Sequence, residues 1–243
     1  LLGDQEVKYR PNFSTVNGVV NIPVIFSKIS GVKDGSVSQY WESIAALITE
    51  DTVVVKSAPY IEPTAFGPMK AFAVEFYKNG KLLRNKIKNH PRYPYHLLRE
   101  EMQEFILDKL QLLIERKLIK GIGENGTEYT VIAQILDLPK EILRLIQKFD
   151  FTKKNPKLIY INTGETMISL QDSILVTFLN LAGFDILFFV PTGYQSVENY
   201  FAEKLMEEHQ IGEYKYDMQV PDLNNISTNS TRPSWRRKLF RRG

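Results

Sequence analysis

The chain has 243 residues, 43% of them hydrophobic and 24% charged, a balance that suits a globular α/β protein with a sizeable core. It contains no cysteine, which excludes a disulfide scaffold, a thiolate metal site and a cysteine nucleophile, and fits a reducing, cytoplasmic setting. The net charge of +3 is uneven: the tail "TRPSWRRKLFRRG" carries six basic residues and no acid, so the remaining body sums to −3.

In chain order, residues 1–18 are polar and aperiodic and are expected to be loose. "LLGDQEVKYRPNF" lacks the basic and long apolar regions of a signal peptide. It also lacks an initiating Met and reads as a fragment or a processed start. "NIPVIFSKISGV" predicts a buried strand over Ile22 to Ile29. "SQYWESIAALIT" predicts an amphipathic helix, with Trp41, Ile44, Ala45 and Ile48 on one face and Ser38 as N-cap. "TVVVKSA" is a second strand, which completes a βαβ unit. "PYIEPTAFGP" reads as a loop.

"MKAFAVEFYKNGKLLRNKIKNH" fits either a hairpin around Asn79-Gly80 or a helix ended by a glycine cap, with the helix favoured. From Tyr95 to Lys120 the pattern is helical, and Gly121 and Gly123 end it. Two short helices follow in "TVIAQILDL" and "LPKEILRLIQKFD", then a polar linker, "FTKKNPK". "KLIYIN" is a strand. "SLQDSILVTFLNLAG" is a helix with Ser169 as N-cap and Gly183 at its end. "FDILFFVP", apolar on both faces, is a strand of parallel type. "SVENYFAEKLMEEH" predicts a further helix. The expected fold is α/β, with two Rossmann-like βαβ units of parallel strands joined by a helical segment. The boundaries are 1–18, 19–92, 93–150, 151–226 and a basic tail at 227–243. No apolar run reaches the roughly 18 residues of a membrane span.

The segments "FSKISGVKDGSVSQYWE", "LREEMQEFILDKL", "LIQKFDFTKKNPKLIYINTGE", "LAGFDILFFVPTGY" and "SWRRKLFRRG" resemble the YceG-like family of Firmicutes and related bacteria. That family is described as a component of a "biosynthetic module" accompanying tellurium-resistance-type stress proteins. The resemblance implies a bacterial, cytoplasmic, stress-response role, in the making of a nucleoside-like metabolite. Family members are longer at the N-terminus, so the resemblance implies that the chain looks like their C-terminal portion. No set of catalytic residues carries over.

The candidate sites therefore rest on the residues themselves. In a parallel sheet, ligands bind beyond the carboxyl ends of strands. Asn162, Thr163, Gly164 and Glu165 follow one strand; Thr192, Gly193, Tyr194 and Glu198 follow the next. Glycine admits close backbone approach, threonine hydroxyls reach phosphate or sugar oxygens, and Glu165 and Glu198 are the candidate bases. The competing account is a pair of ordinary strand exits with helix caps. Lys28 and Lys56, set in apolar strands, suit either an acid partner or a bound anion. "HPRYPYHLLRE" adds His90, Arg92, His96 and Arg99 as a second anion-binding candidate, or a plain connecting loop. "GIGENG" follows a helix and is a turn. Asp172 and Asp185 read as structural. No spacing suits a metal, and no cofactor is named.

Three functional readings compete: a ligand-binding component or transferase acting on a nucleotide-like or sugar-phosphate ligand between the two units; a non-catalytic protein whose basic tail docks stress-system partners; and, behind both, a DNA-binding regulator built on the two short helices. Nucleic acid is the least favoured partner because that helix pair lacks a turn glycine.

Overall fold

The computed structural model describes residues 7–17, 19–63, 67–148 and 154–226. The chain opens on an antiparallel ribbon, β1 (Ser14–Val16) against β2 (Val19–Asn21). β3 (Phe26–Ser30), α1 (Val37–Ala45) and β4 (Thr52–Val55) follow. Next come α2 (Gly67–Ala73), a hairpin of β5 (Tyr77–Lys78) and β6 (Lys81–Leu82), and α3 (Arg84–Lys88). The long α4 (Glu100–Glu115) leads to α5 (Thr127–Ile135) and α6 (Lys140–Lys148). β7 (Lys157–Ile161), α7 (Leu170–Leu181), β8 (Asp185–Val190) and β9 (Glu207–Gln210) complete the elements.

Five strands form one parallel sheet in the order β4-β7-β8-β3-β9. The α/β class and the parallel strands agree with the sequence; the two separate βαβ units do not. β3, from the first half, lies between β8 and β9 of the second, and β4 flanks β7. The reason lies in the strand sequences. "KLIYI" and "DILFFV" are buried at every residue, so both need strand neighbours and cover on two faces.

Side-chain alternation gives the two faces different partners. Phe26, Leu158, Tyr160, Ile186 and Phe188 pack with residues of α4, α5 and α7. Ile29, Ile159, Ile161, Leu187 and Phe189 pack with Tyr40, Trp41 and Ile44 of α1. Phe178, Phe184 and Phe188 are fully buried, and each such ring contributes about 1.5–3 kcal/mol relative to exposure.

Several elements depart from the periodicity. Residues 196–206 form no helix. Instead they cross the face of β3 as an irregular cover, with Val197, Phe201 and Met206 buried. Their backbone pairs elsewhere: Lys120 N donates to Tyr200 O, and Ala202 N to Leu118 O, both at 2.9 Å. The end of the same segment becomes β9, because β3 would otherwise be an open edge. All four β9 residues are exposed and three are ionisable, a composition that discourages further strand pairing.

At 67–82 both predicted patterns occur in turn, helix first and hairpin after. Asn79 (φ 51°) and Gly80 (φ 78°) both take the left-handed conformation that the two-residue turn requires. The N-cap of α1 is Ser36, whose hydroxyl accepts from Gln39 N, and not Ser38. Residues 7–17, expected to be loose, are anchored by Arg10, which is buried and donates twice to Asp185, each bond 2.7 Å. The basic tail lies outside the described residues.

Candidate functional site

The sheet brings the two Thr-Gly loops together. β7 and β8 are adjacent and parallel, so residues 162–166 and 191–195 leave the same edge side by side. Asn162 buckles them. Its Nδ2 donates to Thr166 O (2.7 Å) and Ser196 Oγ (3.1 Å), its Oδ1 accepts from Gly164 N (3.2 Å), and Ile168 N donates to Ser196 O. Thr192 is buried, with its hydroxyl 3.4 Å from Tyr194 N. Asn162 and Thr192 therefore shape the loops from inside, whereas Thr163, Gly164, Glu165 and Tyr194 reach the surface.

Glu165 and Tyr194 join across the gap: the tyrosine hydroxyl donates to Glu165 Oε1 at 2.6 Å. That hydrogen bond to a carboxylate pushes the Tyr194 hydroxyl above its ordinary pKa. Ser169 caps α7 as expected, its hydroxyl accepting from Asp172 N at 3.0 Å.

A third segment, absent from the sequence-derived site, completes the edge. Residues 211–216, after β9, lie over the ends of β8 and β3. Val32 N donates to Glu213 O (2.7 Å), Lys215 N to Pro191 O (3.0 Å) and Ile211 N to Ser30 O (2.9 Å). Gly193 (φ +74°) is required here, because a Cβ would fall 2.3 Å from the Tyr214 ring. β3 leads to α1 on one face, while β8 leads into the 196–206 cover on the other. Adjacent strands whose connections diverge in this way define the switch point at which α/β sheets bind ligands. The alternating "YKY" at 214–216 was the available signal for this segment.

Lys28 and Glu198 form a second cluster, not part of the Glu165 pair. Lys28 is wholly buried on the face covered by residues 196–206. Its Nζ lies 2.6 Å from Glu198 Oε1 and 3.2 Å from Glu208 Oε1. A pocket of about 240 Å³ opens beside it, floored by Phe201, Leu205 and Met206. Arg99 is exposed at the start of α4, with no hydrogen bond or ion pair to these loops among the described residues. His90 packs against Phe72 and Phe76, and α5 is internal. Lys148 of α6 pairs with Glu50 and Asp51. No group of three or more histidines and carboxylates among the described residues could hold a metal ion. No helix there is long and apolar enough to cross a membrane.

Asp172 and Asp185 are structural, as their positions suggested. Asp172, buried at the start of α7, accepts from Tyr60 N (3.0 Å), Ile61 N (2.8 Å) and Tyr160 OH (2.6 Å). Burial pushes the Asp185 carboxyl above the usual range, against the pull of Arg10.

The family model for the YceG domain matches residues 1–230. Over 230 residues the chain is 24% identical to "Uncharacterized protein YceG" of Bacillus subtilis (strain 168), an alignment covering 92% of this chain and 43% of that protein. The chain thus spans less than half the length of this curated relative. No solved structure matches it.

Proposed function

The chain belongs to the YceG domain family, and on that premise we propose that it binds a nucleotide-like or sugar-phosphate ligand at the carboxyl edge of its sheet. One observation carries the reading: the two Thr-Gly loops close against each other beside the switch point, with Glu165 held by Tyr194. The Thr163 hydroxyl offers a donor to phosphate or sugar oxygens, and Gly164, with no side chain, lets them approach the backbone closely. The Glu165 carboxylate, oriented by the tyrosine, offers an acceptor to a ribose hydroxyl, or a base if the reaction is a transfer. Glu198 is assigned a different task, neutralising Lys28. The stress-linked biosynthetic role and the cytoplasmic setting belong to this proposal too, and rest on the family resemblance and the cysteine-free composition.

The test is a thermal-shift panel of nucleoside phosphates and sugar phosphates, followed by titration of any hit into Glu165→Gln. Glu165 is exposed, so the variant's stability should stay within about 0.5 kcal/mol. Loss of a charge-assisted bond should weaken binding about tenfold. A panel without hits, or an unchanged titration for the variant, refutes the reading.

A further inference from the structure

Five of the twelve exposed large apolar side chains among the described residues share one edge of the molecule. Met167, Tyr194, Ile211, Tyr214 and Tyr216 are all more than a third exposed, and all lie on loops leaving the carboxyl edge. Three of them, all tyrosines, line that edge as a wall. The Tyr194 and Tyr216 rings meet edge to face at 6.2 Å. The Tyr214 ring lies over the bare backbone of Gly193. The backbone bonds from 211–216 to Pro191 and Val32 hold the wall against the strand ends. Exposures of 38%, 42% and 56% for Tyr194, Tyr214 and Tyr216 leave ring surface facing water.

The size of that surface selects its occupant. Three tyrosines at roughly half exposure offer on the order of 300 Å² of ring surface. A standard protein partner covers about 800 Å² per side, so the wall is too small to be a protein interface by itself. It does match the face of one or two fused rings. Tyrosine serves such contact well: its ring stacks, its hydroxyl stays hydrated or bonded, and only two side-chain torsions are fixed.

Resting on the ligand site proposed above, we infer that its ligand carries a flat heteroaromatic ring, which stacks on the Tyr214 and Tyr216 faces while the polar part of the ligand meets Thr163, Gly164 and Glu165. The tyrosine wall thus decides between the two ligand classes in favour of the ring-bearing one. Stacking of a base on an aromatic side chain is worth about 1–3 kcal/mol. A ring-bearing ligand should therefore bind at least about five times more tightly than its ring-free counterpart.

The experiment compares adenosine and uridine 5′-monophosphates with ribose 5-phosphate by calorimetric titration, with saturation-transfer NMR to find which ligand protons touch the protein. Expected are tighter binding of the nucleotides and the strongest transfer at their ring protons. Tyr216→Leu should weaken nucleotide binding about tenfold and leave ribose 5-phosphate unchanged, whereas Tyr216→Phe, which keeps the ring, should bind like the parent. Tyr216 is the most exposed of the three, so neither change threatens the fold, and a melting curve checks this. Equal affinity for ribose 5-phosphate, or a Tyr216→Leu variant that binds nucleotide normally, overturns the inference and leaves the carboxyl-edge site standing. Absence of binding by all three probes overturns both.

Discussion

Replacing both glutamates beside Lys28 should destabilise the protein far more than replacing either alone. The ammonium is wholly buried, with Glu198 at 2.6 Å and Glu208 at 3.2 Å. A hydrogen bond to a charged partner contributes about 1.5–3 kcal/mol. Glu198 is 35% and Glu208 44% exposed, so water screens both and the lower end applies. Glu198→Gln leaves Glu208 in place and an amide oxygen near Nζ, and should cost about 1 kcal/mol. The double change Glu198→Gln with Glu208→Gln strands a buried charge, for which the cost is about 3–5 kcal/mol. With partial exposure of the partners, about 3 kcal/mol is expected. Adding Lys28→Met to that double variant removes the stranded charge and should restore most of the loss. Urea unfolding with linear extrapolation measures all four proteins, and unchanged slopes would show that the denatured state is the same. A double variant within 1 kcal/mol of the parent, or no recovery on adding Lys28→Met, would refute the account of Lys28 as a buried cation held by these two carboxylates.

Two further outcomes are expected. Asp172→Ala removes the acceptor for Tyr60 N, Ile61 N and Tyr160 OH and should cost about 3 kcal/mol or more, read as a lower urea midpoint; a loss under 1 kcal/mol would show that water replaces the carboxylate. Burial raises the Tyr93 hydroxyl to about 12, above its unfolded value near 10, so its contribution to stability is complete below pH 10 and is lost as pH rises through 12. Tyr160 is raised in the same direction, by burial first and by its bond to Asp172 second. Melting temperature should fall across pH 10 to 12, and less steeply in Tyr93→Phe; identical slopes would remove Tyr93 as a cause.

What the sequence disclosed follows from how local each signal is. β7, α7 and β8 are legible because their burial is written in unbroken apolar runs and their cap, Ser169, sits at the helix start. The meeting of the 162–166 and 191–195 loops follows from that β-α-β order alone. The 196–209 segment misled for a physical reason. Val197, Phe201 and Leu205 have helical spacing, but their burial is satisfied by lying across β3, and the backbone finds partners at 118–120 and along the sheet edge. The partners of Lys28 are 170 and 180 residues distant in sequence, and Arg10 reaches Asp185 across 175. No periodicity reports such pairs. The tyrosine wall was half visible: Tyr194 belongs to a strand exit, while Tyr214 and Tyr216 reach it only through the returning chain after β9.

The position of β3 dictates when the protein can fold during its synthesis. This strand is complete by residue 30, yet its neighbours are residues 186–190 and 207–210. At translation rates of about 5–20 residues per second, roughly 10–40 seconds separate the emergence of β3 from that of β9. Throughout that interval the nascent chain holds an apolar strand with an unneutralised lysine at its centre. The helices of α4 to α6 can form from local contacts as they emerge, but the sheet cannot be assembled from the ribosome outward. The sheet contacts instead await β7 and β8, which pair in parallel across α7 and take up the waiting β4 and β3 on either side, a route of high contact order and slow closure.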